Sequence, residues 1–509
     1  MFHKKTHGRP FPIDFQVRPL KNDTSLNRVN SRFAMVSTWI PNLGGGSQHR
    51  YRALAEAIRD AIQAGDLKAG DKLPPHREMA WKLGVTAATV SRAYNIAADW
   101  GLVFSRVGHG TRVREPGDVR EPITLRERNE RTTGTIGTPI DFGLLLPTPL
   151  QEHSLRRQAF ENVFARIGRD ILDRSLSGYA PDLGYLSHRE EGAKWLKFLG
   201  VETDARDVIV TRGAQEAILL LLSMFTQPGD PVLVENPTYL GLSHLMRLRN
   251  HQMIPLQLDA EGVSPEAIEL KAAKSGAKLL FLCPNLHNPT GVALTTERRH
   301  AIAQVAERSD LLIIENDPFS ALIEKDTRSP AIASIAPERT IYLASLSKCT
   351  GPAMRVCFMR CPPAHTQGIE GVKHALTLGG AFLQSEIAAE WIRKGLLDRL
   401  CAWQRDEIMR RWSLARSIMG DRLHENLRPA PFVFIHLPEP WRAGEFVSAA
   451  RHSSVICIEA DRFTVGRAGA PQAVRLALST PATEGEVRRG LEIVAGLMST
   501  YSPSGAARY

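Results

Sequence analysis

Apolar residues recur at two different periods along this 509-residue chain, and the change of period divides it. Tyr51, Leu54, Ile58 and Ile62 fall three or four apart, which predicts a helix with one apolar stripe, ended by Gly65. A turn at Gly70-Asp71 follows. Residues 73–83 predict a second helix opened by Leu73-Pro74-Pro75, Gly84 turns the chain, and Thr86 caps a third helix that runs to Trp100. Residues 104–113, which include VGHGTRV, predict two short strands around a Gly-His-Gly tip. Two short helices joined by a glycine turn form a helix-turn-helix, whose second helix can enter a major groove, and the strand pair makes it winged.

Past residue 139 the pattern changes to continuous apolar runs at 208–211, 231–235, 278–283, 311–315 and 340–344, alternating with helical stretches. Such runs fit strands covered on both faces, so an α/β fold with a mainly parallel sheet is expected. Residues 1–46 lack periodicity and read as a mobile tail, and 115–139, rich in Glu, Arg, Thr, Gly and Pro, read as a linker. The expected layout is a tail (1–46), a winged helix-turn-helix (47–114), a linker (115–139) and a large α/β domain (140–500) with a small C-terminal part.

Charge adds a partner to this picture. The formal net charge is +10, and residues 48–114 hold eleven Lys/Arg against six Asp/Glu, so an eighth of the chain carries half of the excess. A basic, separable module points to a polyanion, with nucleic acid the best fit. No apolar run is long enough to cross a bilayer and no signal-peptide pattern opens the chain, so a cytoplasmic location is expected. Six cysteines form no CxxC pair and have no close histidine; they are expected as reduced, packed thiols rather than zinc ligands.

Candidate chemistry centres on residues 342–359, YLASLSKCTGPAMRVCFM. Lys348 stands where a polar turn meets apolar walls, with Ser345, Ser347 and Arg355 near it in sequence. An amine in that setting can form a Schiff base with a phosphorylated aldehyde while hydroxyls and a guanidinium hold the phosphate. Upstream, VIVTRGAQEAI (208–218) reads as strand, glycine turn and helix start, which aims the free N–H groups of Ala214 and Gln215 at a common point suited to phosphate.

Together with SGYAPDLGYLSHREEGAKWL (177–196), VENPTYLGL (234–242), CPNLHNPTG (283–291) and VRLALST (474–480), this order resembles the pyridoxal-phosphate enzymes of aminotransferase fold type I. The resemblance implies that Lys348 holds the cofactor and that Tyr179 reaches the phosphate of a neighbouring subunit. It also implies that Tyr239 stacks on the pyridine ring, that Asn288 donates to the phenolic oxygen, and that Arg475 grips a substrate or effector carboxylate. The string from Gly65 to Val113 resembles the GntR family of bacterial winged-helix repressors. That resemblance makes Arg77, Thr86, Thr89, Arg92 and His109 candidate DNA contacts, while Ala87 and Ser91 stand where some relatives carry arginine.

One position departs from the family pattern. Where the family has an aspartate on the pyridine nitrogen and a tyrosine three residues later, this chain reads IIENDPF (313–319), with Asn316 and Phe319. Asp317 is adjacent, but neighbouring strand residues face opposite ways. A neutral amide does not hold the pyridine protonated as a carboxylate does, so the cofactor is expected to bind with its carbanion chemistry handicapped. The two halves in this order resemble the MocR subfamily of transcription regulators. That implies a homodimer on operator DNA that senses an amine or amino acid as it displaces Lys348 from the cofactor. The rival readings are a working aminotransferase and a regulator whose pocket has lost the cofactor. Because MVSTWIPNL resembles the opening of this subfamily, translation is expected to start at Met35.

Overall fold

The computed structural model describes residues 39–41, 50–99, 102–106, 110–113, 139–151, 153–161, 163–165, 168, 178–423, 428–466 and 469–500. Met35, most of the expected tail and linker, and His109 lie outside these. The chain divides into two compact units, residues 1–133 and 134–509.

The first unit holds three helices, α1 (Arg50–Ala64), α2 (His76–Leu83) and α3 (Ala87–Asp99), and an antiparallel pair, β1 (Val103–Arg106) with β2 (Gly110–Val113). The second helix begins at His76 rather than at Leu73. Leu73 through Pro75 are spent on the approach, where the Leu73 N–H bonds Thr111 and the Pro74 carbonyl accepts the buried Tyr94 hydroxyl at 2.9 Å. Gly84 is left-handed (φ 61) and its N–H closes on Ala80 and Trp81, so α2 stops there. The Thr86 hydroxyl accepts from the Thr89 N–H at 3.2 Å, capping α3 as its sequence suggests. Leu54, Ile58, Met79, Val90, Tyr94, Val103 and Val113 form one buried core.

In the second unit, β3 (Ile140–Asp141) opens the chain. Eight strands follow that form the main sheet: β4 (Val208–Thr211), β5 (Pro231–Asn236), β6 (Gln252–Asp259), β7 (Gly262–Val263), β8 (Leu279–Leu282), β9 (Leu312–Asn316), β10 (Thr340–Ser345) and β11 (Cys357–Arg360). Their spatial order is β4-β11-β10-β9-β8-β5-β6-β7. The pairs β6–β5–β8–β9–β10 are parallel, whereas β11 runs antiparallel to both β10 and β4. Strands β4, β8, β10 and β11 are buried at every position, because helices cover both faces. A smaller sheet joins β12 (Val433–His436), β15 (Ala473–Leu476) and β14 (Ile458–Glu459), while β13 (Val455–Ile456) pairs with β3. All six cysteines are free and buried. Among the described residues, no helix is long and apolar enough to cross a membrane.

Candidate functional site

Parallel strands end together, and their C-terminal ends open a cleft in the second unit. Lys348 closes a short turn, Leu346–Lys348, directly after β10. Its amine donates to the Leu145 carbonyl at 2.5 Å. Burial first, then the charges of Arg475 and Arg355, push this amine down to about 8. The turn itself is held from within: the Ser345 hydroxyl reaches Ser347 at 3.4 Å, and the Ser347 hydroxyl donates to the Met354 carbonyl at 3.3 Å.

Opposite the lysine, Gly213 (φ 84) caps the helix Ala214–Phe225 with no side chain of its own. A Cβ there would stand 3.0 Å from the Arg355 guanidinium, so the absence of a side chain lets arginine and helix N-terminus converge. The first N–H groups of that helix have no helical acceptor, an arrangement that suits an anion. Tyr239 lies beside them, its hydroxyl donating to Gln215 at 3.2 Å while the Gln215 amide donates to Gly241 at 2.8 Å. Burial raises the Tyr239 hydroxyl above its ordinary range, which keeps it neutral.

The remaining wall comes from β8, β9 and β15. Arg475 donates to Asn288 at 3.1 Å and to the Gly143 carbonyl, and its Nε is buried without a partner. Burial pushes its guanidinium down to about 10, with Asp141 opposing. Asn316 ends β9; its Nδ2 donates to the Cys283 sulfur at 3.6 Å and its Oδ1 is buried unpaired. Asp317 points the other way, accepting from Asn285 and the Tyr342 hydroxyl, each at 2.8 Å, and from the Ser320 N–H at 3.0 Å. Phe319 is buried against Phe432, at 5.8 Å between ring centres.

The structure thus brings Ala214, Gln215, Tyr239, Asn288, Asn316, Ser345, Ser347, Lys348 and Arg355 to one cleft, which Cys283, Pro318 and Phe319 also line. Arg475 joins through Asn288. Tyr179 does not; it stands 83% exposed on the surface of the unit. Sequence reasoning missed the parts played by Cys283 and the Leu145 carbonyl. The cysteine opens the CPNLHNPTG motif yet reads as packing, and a backbone carbonyl 203 residues from the lysine leaves no local signal. A wider groove of about 530 Å³, lined by Met409, Arg410 and Arg488 among others, contains none of these groups.

On the first unit, Arg77 and Thr86 are exposed and Thr89 is half-buried. Arg92 is exposed, its guanidinium 3.9 Å over the Tyr51 ring. His109 lies outside the described residues.

Residues 155–494 match the family of class I and II aminotransferases, and residues 50–113 match the bacterial regulatory proteins of the gntR family. The HTH-type transcriptional regulator YdeF of Bacillus subtilis is 28% identical over 470 residues, covering 92% of this chain and 99% of that protein. The vitamin B6 salvage pathway transcriptional repressor PtsJ of Salmonella typhimurium is 32% identical over 305 residues, 60% of this chain and 66% of that one. Among solved structures, the kynurenine aminotransferase of Pyrococcus horikoshii matches with a TM-score of 0.64 at 22% identity, over 75% of this chain and 96% of that chain. The cleft at the ends of β4, β5, β8, β9 and β10 therefore sits in a fold type I transferase domain. The chain belongs to the aminotransferase class I and II family, carried behind a gntR-type winged helix in the domain order of the MocR-type regulators.

Proposed function

We propose that this protein is a pyridoxal-phosphate-dependent, DNA-binding transcription regulator whose aminotransferase-like unit senses an amine or amino acid. The observation that carries the reading is the convergence of an amine, a guanidinium and a helix N-terminus in one cleft, in a chain that also holds a winged helix with exposed Arg77 and Arg92.

The residues fit the cofactor. Lys348 offers a half-buried amine of lowered basicity for the aldehyde carbon, while Arg355 and the N–H groups of Ala214 and Gln215 suit the phosphate. Two buried polar atoms, Asn316 Oδ1 and Arg475 Nε, lack partners and suit groups of a bound molecule. When bound, pyridoxal phosphate supplies an electrophilic carbon that an amine can capture in place of the lysine. Tyr239 would flank the flat ring, Asn288 would donate toward its phenolic oxygen, and Arg475 would orient an effector carboxylate. With Asn316 instead of a carboxylate, the site favours holding an amine over turning it over. Binding at this cleft can alter DNA affinity only through a difference in effector affinity between two arrangements of the protein.

A homodimer in the cytoplasm, on double-stranded operator DNA, completes the reading. Tyr179 at 83% exposure, with Leu186 and Leu378 at more than half, leaves aromatic and aliphatic surface of the kind a second copy could cover. A working aminotransferase is the competing reading, and Asn316 with Phe319 weighs against it.

The deciding experiment is a visible absorption spectrum joined to operator binding. A cofactor band that Lys348→Ala abolishes, and an amine-dependent change in operator affinity that the same variant loses, are expected. A colourless protein indifferent to added pyridoxal phosphate would overturn the reading.

A further inference from the structure

Asn316 is the residue that most distinguishes this cleft. It is 4% exposed, and its two ends have unlike surroundings. Nδ2 donates to the Cys283 sulfur at 3.6 Å, whereas Oδ1 has no partner. Cys283 is itself fixed, since its backbone N–H donates to Glu235 Oε2 at 2.8 Å in the first residue beyond β8. Both side chains line the cleft.

We infer that Cys283 is a positioning residue for Asn316: its sulfur takes the amide N–H, turns the amide oxygen toward the cleft, and so selects a ligand carrying an N–H donor at that point. An amide has a donor end and an acceptor end of equal shape, and which end a ligand meets depends on what holds the other. The inference rests on the cofactor reading above and deepens it. The donor is then the pyridine nitrogen with its proton, held by a neutral dipole where relatives of the fold use a full negative charge. The ring is protonated in part, enough for the lysine to exchange with an incoming amine and less than sustained carbanion chemistry needs.

The groups around the pair leave this dipole in control. Asp317 is turned away into Asn285, Tyr342 and Ser320. Burial pushes Glu235 up to about 8 and His287, 3.6 Å from it, down to about 3, so both are driven toward their uncharged forms. Burial also holds the Cys283 thiol well above its ordinary range, and it stays protonated.

The test uses the full chain loaded with pyridoxal phosphate labelled with nitrogen-15 in the ring, read by the ring-nitrogen resonance at neutral pH. Wild-type protein is expected to show a minor but measurable protonated fraction. Cys283→Val, which removes the sulfur and keeps the volume, should lower the ratio of protonated to unprotonated nitrogen by about tenfold, the change that one pKa unit makes. Cys283→Ser, which restores an acceptor for Nδ2, should recover most of it. A structural role alone would weaken loading in both variants without reordering the resonances. If Cys283→Val does not fold, the wild-type spectrum still decides, because an unprotonated ring nitrogen refutes the inference outright. Loading with a resonance that ignores Cys283 refutes this inference and leaves the cofactor reading standing. Absence of loading in the wild type refutes both.

Discussion

Arg355 leans over Gly213 so closely that a single methyl group on the glycine would stand 3.0 Å from the guanidinium carbon. Gly213 has φ 84 and ψ 168, a conformation nearly confined to glycine, and any side chain there costs about 1–3 kcal/mol. Gly213→Ala should therefore weaken pyridoxal phosphate binding by at least about tenfold, which is 1.4 kcal/mol, through loss of the arginine and the helix N-terminus as one site. Absorbance titration measures it. Unchanged affinity would move the phosphate away from this turn.

The lowered basicity of Lys348 makes a prediction in pH. Below about 8 the amine is mostly protonated and cannot attack an aldehyde; above it the free amine dominates. Cofactor capture at saturating concentration should speed up by about tenfold per pH unit below that point and level off above it. Arg475→Met removes a nearby cation, so the midpoint should move upward. The same lowered basicity acts on folding. Between about 8 and 10.5 the unfolded chain binds the lysine proton more readily than the folded one, so cofactor-free stability should rise with pH across that window. Stopped-flow absorbance and denaturation midpoints follow the two effects, and a flat capture profile contradicts the assignment of Lys348.

Much of this was legible in the sequence, and for a physical reason. Strands buried on both faces are mostly apolar, so β4, β5, β8, β9 and β10 appear as runs within a residue of their true ends. Strand β6 escaped notice because only Leu256 of its eight residues is buried and Pro255 interrupts it. In the cleft, Lys348, Asn288 and Asn316 announce themselves through motifs. Cys283 and the Leu145 carbonyl do not, because their parts arise from tertiary placement alone. Tyr179 has a motif, but no described residue of its own unit gathers it into the cleft.

For the first unit, specific DNA binding is expected to reside in residues 48–114 and to be strongly salt-dependent. Each phosphate neutralised steepens the slope of log K against log salt by about 0.9. Replacing Arg77 and Arg92 together should flatten that slope by up to about 1.8, two such contacts, with the cofactor spectrum unchanged. Because Arg92 also stacks on Tyr51 at 3.9 Å, Arg92→Lys separates charge from packing. Operator binding that the double variant leaves intact would put the recognition surface elsewhere.

Asn316→Asp should convert a holder into a slow enzyme. A carboxylate at the end of β9 would keep the pyridine nitrogen protonated, and the rate at which a bound amino acid is consumed should rise at least about tenfold, 1.4 kcal/mol of barrier. Decay of the visible band with a panel of amino acids, wild type against variant, measures this. Rapid decay in the wild type, or no gain in a normally loaded variant, would show that Asn316 does not face the ring. Asp317 is a poor substitute, since reaching the cleft means giving up hydrogen bonds from Asn285, Tyr342 and Ser320.

The contact between Lys348 and the Leu145 carbonyl joins two events otherwise far apart in the chain. Leu145 lies four residues beyond β3, the first strand after the stretch that leads from the winged helix. Anything that engages the lysine amine takes from that carbonyl its donor, and a buried carbonyl must then find another or shift. The segment that loses this contact is the one where the second unit begins. Occupancy of the lysine and the bonding of the first residues of the second unit are therefore linked at this one hydrogen bond.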